Sequence, residues 1–312
     1  MSGALSLKPS YYEALKRLTI ELVGVKLGEE HEFLVETRLS ALARKEGFES
    51  LPQMIEELFS RGQTRLAIHV VTALLERATS FFEGRKGFEA MGDILLPNLH
   101  QFYRGGTVRI LSYGCSSGQE VYSAAILADK LADILPNMDI ELTGVDYPSQ
   151  ALERAKAGRF THFEVQRGLP IRHLIKYFTR NGEDWVVNDS LRSKITFADH
   201  NLLTDISDLG TYQIVMFRGH ISQITSHAKA RILRSLAGLV STNGYLMLGC
   251  HEKPDDTNFW FDPVAIAPGC FKRREKQVEI PEPEPEPAPE IIVEKKPQQA
   301  FIPTEYRGNG TH

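Results

Sequence analysis

The 312-residue chain predicts an α/β fold, a parallel-rich, Rossmann-like sheet with helices on both faces, behind a small all-α N-terminal domain. Two observations carry this. From residue 107 onward, short apolar runs alternate with helical stretches, the rhythm of strands joined by crossover helices. Over residues 9 to 76, apolar side chains recur at helical spacing instead.

In the helical part, Pro9-Ser10 is a start signal, and Leu15, Leu18, Ile20, Leu22 and Val23 are spaced to load one broad face before Gly24 and Gly28 break the pattern. A second helix is expected over 29–45, with Phe33, Leu34, Leu39 and Leu42 inward and Gly47 ending it. Two more are expected over 51–59 and 66–75. Together these make a small bundle over residues 1–76, followed by a linker helix carrying Thr79.

The α/β domain is expected over 77–276, with strands at 108–111, 140–145, 195–197, 214–217 and 245–248. A longer insertion near 158–193 holds Arg167-Gly168-Leu169-Pro170 and Trp185-Val186-Val187, with room for a small strand excursion beside the main sheet. After Lys276 the Pro/Glu repeats cannot bury enough apolar surface to order themselves. Residues 277–312 are therefore expected to form a disordered, polyproline-like tether, ending near Phe301-Ile302-Pro303-Thr304-Glu305-Tyr306-Arg307.

Composition narrows the function. At 42% hydrophobic, 24% charged and net charge −4, the chain has no basic surplus for neutralising a phosphate backbone, so nucleic acid is not an expected partner. Cys115, Cys250 and Cys270 form no CxxC or Cys/His cluster, which points away from a disulfide framework or a metal site and toward a reducing cytoplasm. The N-terminus lacks a basic segment followed by an apolar core, and no apolar run reaches the roughly 18 residues of a membrane span. Neither secretion nor membrane insertion is expected.

The chemistry gathers where the first strand turns into its helix, at Gly114-Cys115-Ser116-Ser117-Gly118-Gln119-Glu120-Val121-Tyr122-Ser123. In an open α/β sheet such a turn leads the ligand site, and glycines let backbone approach the ligand. Asp146 ends the second strand, where a carboxylate can accept hydrogen bonds from both ribose hydroxyls of an adenosine; the competing role there is that of a helix N-cap or turn residue. The dinucleotide pattern GxGxxG is absent.

The turn resembles the GCS(S/T)GEEPYS signature of the CheR family, the S-adenosylmethionine-dependent glutamate methyltransferases of chemotaxis receptors. Further stretches agree in order: Thr79-Ser80-Phe81-Phe82 with TxFFR, Arg167-Gly168-Leu169-Pro170 with RGLP, Tyr177-Phe178 with YF, Asn201-Leu202-Leu203 with NLL, and Gly244-Tyr245-Leu246 through Glu252 with GGYLFLGHSE. The resemblance spans roughly residues 10 to 275. It implies a methyltransferase sheet, a small antiparallel subdomain in the insertion that grips a receptor tail in some members, and receptor helices as partners. Arg38, Arg44 and Lys45 are candidates for meeting an acidic receptor helix.

By the same resemblance the cofactor contacts fall on Arg77, Thr79, Glu83, Gln119, Asp146, Asn201, Leu202, Gly219 and His220, beside the turn glycines Gly114 and Gly118. Several have changed identity: Arg77 stands for Asn, Glu83 for the arginine of TxFFR, Gln119 for the first Glu of GEE, and Gly219 for the Asn of CRN(V/I), while 219–223 replace Asn-Val-Leu-Ile-Tyr. A glutamate in place of that arginine turns attraction for the methionyl carboxylate into repulsion, unless Arg77 receives the carboxylate and Glu83 pairs the ammonium. No catalytic general base is expected, because a glutamate nucleophile is already ionised at neutral pH. Two functions follow: methylation of receptor glutamates, or a catalytically silent recognition module that has lost the cofactor.

Overall fold

The computed structural model describes residues 7–28, 32–61, 64–75, 79–104, 106–201, 206–254 and 260–274. The expected tether lies outside them. The N-terminal helices are α1 (Pro9–Val23), α2 (Glu32–Lys45), α3 (Leu51–Arg61) and α4 (Thr64–Leu75). Tyr12, Leu15, Val35, Leu39, Met54, Ile55, Leu58, Val70 and Leu74 form their shared core. The side chains of Phe33 and Leu34 lie outside the described residues.

One expectation in α1 is corrected. Ile20 is 38% exposed, and Thr19 is fully buried in its place. The buried stripe runs Tyr12, Leu15, Thr19, steps of three and four residues, and each further residue turns the helix by about 100°. Ile20 therefore leaves the stripe, and the Thr19 hydroxyl satisfies itself on the Lys16 carbonyl at 2.9 Å.

The α/β part begins with α5 (Arg85–Ala90), which continues through a π turn (Met91–Leu95) into α6 (Leu96–Tyr103). Next come β1 (Gly106–Tyr113), α7 (Gln119–Leu131), β2 (Met138–Asp146) and α8 (Gln150–Ala157). The insertion carries β3 (Arg159–Thr161), α9 (His162–Gln166), α10 (Ile171–Tyr177), β4 (Phe178–Asn181), β5 (Asp184–Val187) and α11 (Asp189–Arg192). The main sheet resumes with β6 (Ile195–Asp199), β7 (Tyr212–Met216), α12 (Ser226–Leu239), β8 (Val240–Met247), β9 (Phe261–Pro263) and β10 (Cys270–Arg273). Thr79 lies in an irregular stretch before a turn at 81–82, not on a linker helix; Phe82 there adopts a left-handed φ of 50°.

The seven strands of the main sheet are ordered β6-β2-β1-β7-β8-β10-β9. The first five of these pair in parallel, whereas β10 runs antiparallel to both neighbours. The five expected strands are the parallel ones; β9 and β10 are too short to show a period in sequence. Alternate residues of β1 enter two cores: Val108 and Ile110 pack with Ile126, Leu142 and Ile214, and Leu111 and Tyr113 pack with Val215, Ile232 and Leu236. Burial on both faces is the mark of a parallel sheet covered by helices. Strand order reverses between β1 and β7, so a crevice opens there beyond the carboxyl ends.

The insertion forms a separate antiparallel sheet, ordered β3-β5-β4. Phe81 roots it, with its ring 5.0 Å from that of Phe160 and 5.6 Å from that of Phe178. Its N–H donates to the Arg167 carbonyl at 3.0 Å. Gly168, at φ 83°, passes so close that an added Cβ would lie 2.0 Å from the Phe81 oxygen. The segment after α1 is tied to the carboxyl end of the main sheet by a Val25–Ile224 antiparallel bridge, with Lys26 N–H donating to the Gln223 carbonyl and Thr225 N–H to that of Gly24.

Candidate functional site

The turn after β1 is held from two sides. Gly114 and Cys115 both donate their N–H groups to the Val145 carbonyl, at 2.8 and 3.1 Å. Ser116, in the left-handed region at φ 48°, donates its N–H to Asp146 Oδ2 at 2.5 Å, and Tyr147 N–H donates to Oδ1 at 2.6 Å. Burial pushes the Asp146 carboxyl up from its ordinary range, and these two N–H groups pull it back. The cap of α8 is Ser149, whose hydroxyl accepts from Leu152 N–H at 3.1 Å. Asp146 is thus not the helix cap that a strand-end aspartate often is.

Above these groups lies a cleft of about 1210 Å³ lined by Thr79, Glu83, Gly114, Asp146, Asn201, Gly219 and His220, among others. Those seven are expected site residues brought together from separate stretches of chain. Arg77 and Leu202, and with Arg77 the expected exchange of roles with Glu83, lie outside the described residues. Glu83 accepts from its neighbour Ser80, whose N–H is 3.1 Å and hydroxyl 3.4 Å from Oε2. Asn201 donates from Nδ2 to the Leu22 carbonyl at 3.1 Å, linking the site to α1. His220 stacks on Phe217 at 5.1 Å and lies over Gly114, where a Cβ would come within 2.5 Å of its Nε2.

Gly118 and Gln119 do not line the cleft. Gln119 is buried, and its Oε1 accepts from the hydroxyls of Thr79 at 2.6 Å and Ser117 at 2.8 Å. A neutral amide suits that position, which fastens the stretch before α5 to the start of α7. At Gly118, with φ 92°, an added Cβ would lie 3.0 Å from the Ala155 methyl and 3.2 Å from the Tyr122 ring. Both residues shape the turn.

The cleft contains residues that sequence reasoning passed over. Arg218, with its side chain only 7% exposed, runs past Gly84, donates from Nη2 to the Glu83 carbonyl at 2.7 Å, and lies over the Phe88 ring at 5.1 Å. Its Nη1 is 3.8 Å from Glu120 Oε1. Glu252 Oε2 accepts from the N–H groups of Gly219 at 2.6 Å and Gly249 at 2.7 Å, joining the turns after β7 and β8. Burial pushes the Glu120 carboxyl up; Arg218 opposes this, while Glu83 and Glu252 add to it. The signal for Glu120 was present, since it is the second acid of the turn signature and unchanged.

Among the described residues, five cleft-lining residues each carry a buried polar atom with no hydrogen-bond partner: Glu120 Oε1, Arg218 Nε and Glu252 Oε1 beside one another, Tyr113 Oη near Asp146, and Thr72 Oγ1 on α4. Unmade hydrogen bonds on buried groups cost about 1–3 kcal/mol each, a deficit that a ligand with matching donors and acceptors relieves. One end thus offers a carboxylate suited to vicinal hydroxyls, and the other a guanidinium beside carboxylates, suited to an amino acid's carboxylate and ammonium. Cys115 and Cys250 also line the cleft, and burial pushes the Cys115 thiol well up, keeping it protonated. Among the described residues, no group of His, Cys, Asp or Glu is arranged to hold a metal ion, and no helix is long and apolar enough to cross a membrane.

The family model described as CheR methyltransferase, SAM binding domain, matches residues 77–270. Chemotaxis protein methyltransferase Cher2 of Pseudomonas putida is 27% identical over 264 residues, covering 83% of this chain and 95% of its own length. Chemotaxis protein methyltransferase 1 of Pseudomonas aeruginosa is 29% identical over 267 residues, covering 84% of this chain and 97% of its own. The solved structure of the glycopeptide N-methyltransferase MtfA complexed with (S)-adenosyl-L-methionine aligns with a TM-score of 0.30 at 12% identity, over 49% of this chain and 48% of that one, a superposition too loose to argue from. Since that single family model covers most of the α/β part, from the stretch before Thr79 to the start of the last strand, the chain belongs to the CheR methyltransferases and its cofactor is S-adenosylmethionine.

Proposed function

We propose that this methyltransferase modifies glutamate side chains on the cytoplasmic helices of a chemoreceptor or a receptor-like signalling protein. The observation that carries the proposal is the set of orphaned polar atoms in the cleft on Glu120, Arg218 and Glu252. They fit the amino-acid end of S-adenosylmethionine: Arg218 for its carboxylate, Glu120 and Glu252 for its ammonium. Asp146 fits the ribose hydroxyls. The chemotaxis names of the relatives support the choice of substrate.

The cofactor supplies a methyl group on a sulfonium, which is electrophilic without further activation. The nucleophile is a glutamate carboxylate, ionised at neutral pH, so no residue of this chain has to remove a proton. What the chain contributes is alignment and exclusion of water. Gly114 admits the turn close to the ligand, Glu252 fixes the turns after β7 and β8 to each other, and the segment around Val25 covers the carboxyl end of the sheet. Lys45 and Arg65 line the cleft and suit an acidic receptor helix. Arg38 is occupied with the Leu74 carbonyl at 2.8 Å, so the basic face narrows to Arg44 and Lys45.

A second reading, in which the chain serves its pathway by recognition alone, draws on Gly219 and Gln223, which bring no side-chain amide and no phenol where the family's pattern has Asn and Tyr. Calorimetric titration with S-adenosylhomocysteine, then transfer of labelled methyl to receptor fragments, decides between them. Binding and glutamate-borne label are expected. No binding favours the recognition module and overturns the cofactor site, whereas binding without label on any receptor fragment overturns the choice of substrate.

A further inference from the structure

We infer that Glu83 makes the cleft charge-selective, so that this chain prefers cationic S-adenosylmethionine over its neutral product S-adenosylhomocysteine. The inference rests on the cofactor placement proposed above. Three carboxylates, Glu83, Glu120 and Glu252, line the amino-acid end of the cleft against the buried guanidinium of Arg218. They are near enough to feel one another, since Glu83 and Glu252 both act on the Glu120 carboxyl. Of the neighbouring cations in the lining, Arg85 is 86% exposed and turned to Glu89 at 2.8 Å, and Lys86 is exposed at the rim.

Ligand chemistry makes this charge count matter. Both ligands carry one ammonium and one carboxylate, which the Arg218 and Glu120 pair can satisfy alike. S-adenosylmethionine adds a sulfonium, two methylene groups from the carbon bearing the ammonium. A surplus of carboxylates at that end attracts the extra charge and leaves the product without a matching attraction. At position 83 the family pattern has an arginine, so the substitution reverses the sign of the charge there. Among the described residues, the Glu83 carboxylate is exposed where it lines the cleft and is bonded within its own turn, to Ser80, so no ion pair there cancels its charge.

The test uses the full chain and three ligands: S-adenosylmethionine, S-adenosylhomocysteine, and sinefungin, which carries an amine cation in place of the sulfonium and cannot transfer a methyl. Calorimetry gives the ratio of Kd for S-adenosylhomocysteine to Kd for each cation. Glu83→Gln is expected to reduce both ratios by about threefold to tenfold, and Glu83→Arg by more, with the change falling on the cations. Ser80→Ala, which removes a hydroxyl partner but keeps the charge, is expected to leave the ratios in place. In the unmodified chain, raising salt from low to high ionic strength is expected to shrink the ratios as well, a measurement that stands even if a variant fails to fold. Ratios unmoved by both Glu83 substitutions, or insensitive to salt, overturn the inference while leaving the cofactor site intact. Failure of all three ligands to bind the unmodified chain overturns the cofactor site and this inference with it.

Discussion

Asp146 shows how one carboxylate both builds and serves the site: it accepts from Ser116 and Tyr147 N–H groups while facing the cleft. Asp146→Asn turns an acceptor into a donor opposite one of those N–H groups. Its expected effect is a loss of cofactor affinity of about tenfold to hundredfold, the scale of a charged hydrogen bond, read by calorimetry with circular dichroism as the check on folding. Gly114 gives a second residue-scale expectation. Its φ of 76° and the His220 ring leave no room for a side chain, so Gly114→Ala should cost at least about 1 kcal/mol from backbone strain alone. Adding His220→Ala should recover the steric share but not the strain, a non-additivity that urea unfolding of the two single variants and the pair will measure. The place of Asp146 in the cleft was legible from its position at a strand end. The approach of Glu120 to Arg218 was not, because a helix residue and a strand-end residue 98 positions apart in sequence meet only when β1 and β7 pair.

At the scale of elements, the insertion is held to the main body by packing and by charge. Asp129 on α7 accepts from Lys176 Nζ at 3.0 Å, Tyr177 Oη at 2.8 Å and Lys194 Nζ at 3.3 Å. Burial alone pushes its carboxyl up, but these three partners override it and hold the pKa down at about 2. Because the folded value lies below the unfolded one, the contribution is present above the unfolded value of about 3.9 and is lost as pH falls toward 2. Asp129→Asn should therefore cost stability at pH 7, about 0.2–1 kcal/mol after solvent screening, and the gap to the parent should narrow in urea unfolding at pH 3. Gly168→Ala places a methyl 2.0 Å from the Phe81 carbonyl, against a backbone fixed by the aromatic cluster. A loss of at least about 2 kcal/mol is expected from overpacking and φ strain together, with the near-ultraviolet signal of the aromatic cluster falling in step. The five parallel strands were legible from their apolar runs, the insertion was expected to hold a small strand excursion without strand bounds, and β9 and β10 were short enough to pass for loops.

Over the whole molecule, the N-terminal helices are bonded to the site end of the sheet. The Asn201 bond to the Leu22 carbonyl, the Val25–Ile224 bridge and the Lys26 and Thr225 amide bonds all lie at that end. A ligand filling the cleft below them should slow local opening. The expected result is slower hydrogen exchange at the Lys26, Gln223 and Thr225 amides when S-adenosylhomocysteine is added, with little change in α3; equal slowing everywhere would point to a general gain in stability instead.

The sequence alone determined the class of fold, the position of the turn and its strand-end aspartate, and the family, because strand-helix alternation and contiguous signatures are local properties that survive without coordinates. It also pointed to Thr79, Glu83, Gly114, Asp146, Asn201, Gly219 and His220, which line one cleft. Only the tertiary structure decided that Gln119 is an internal fastener, that Glu120, Arg218 and Glu252 are the charged groups at the other end of that cleft from Asp146, and that Glu83 is bonded within its own turn. The physical reason is that hydrogen-bond satisfaction and burial belong to assembled neighbours. Whether a carboxylate in the chain is a surface charge, a clamp or an orphan waiting for a ligand is settled by which strands stand beside it.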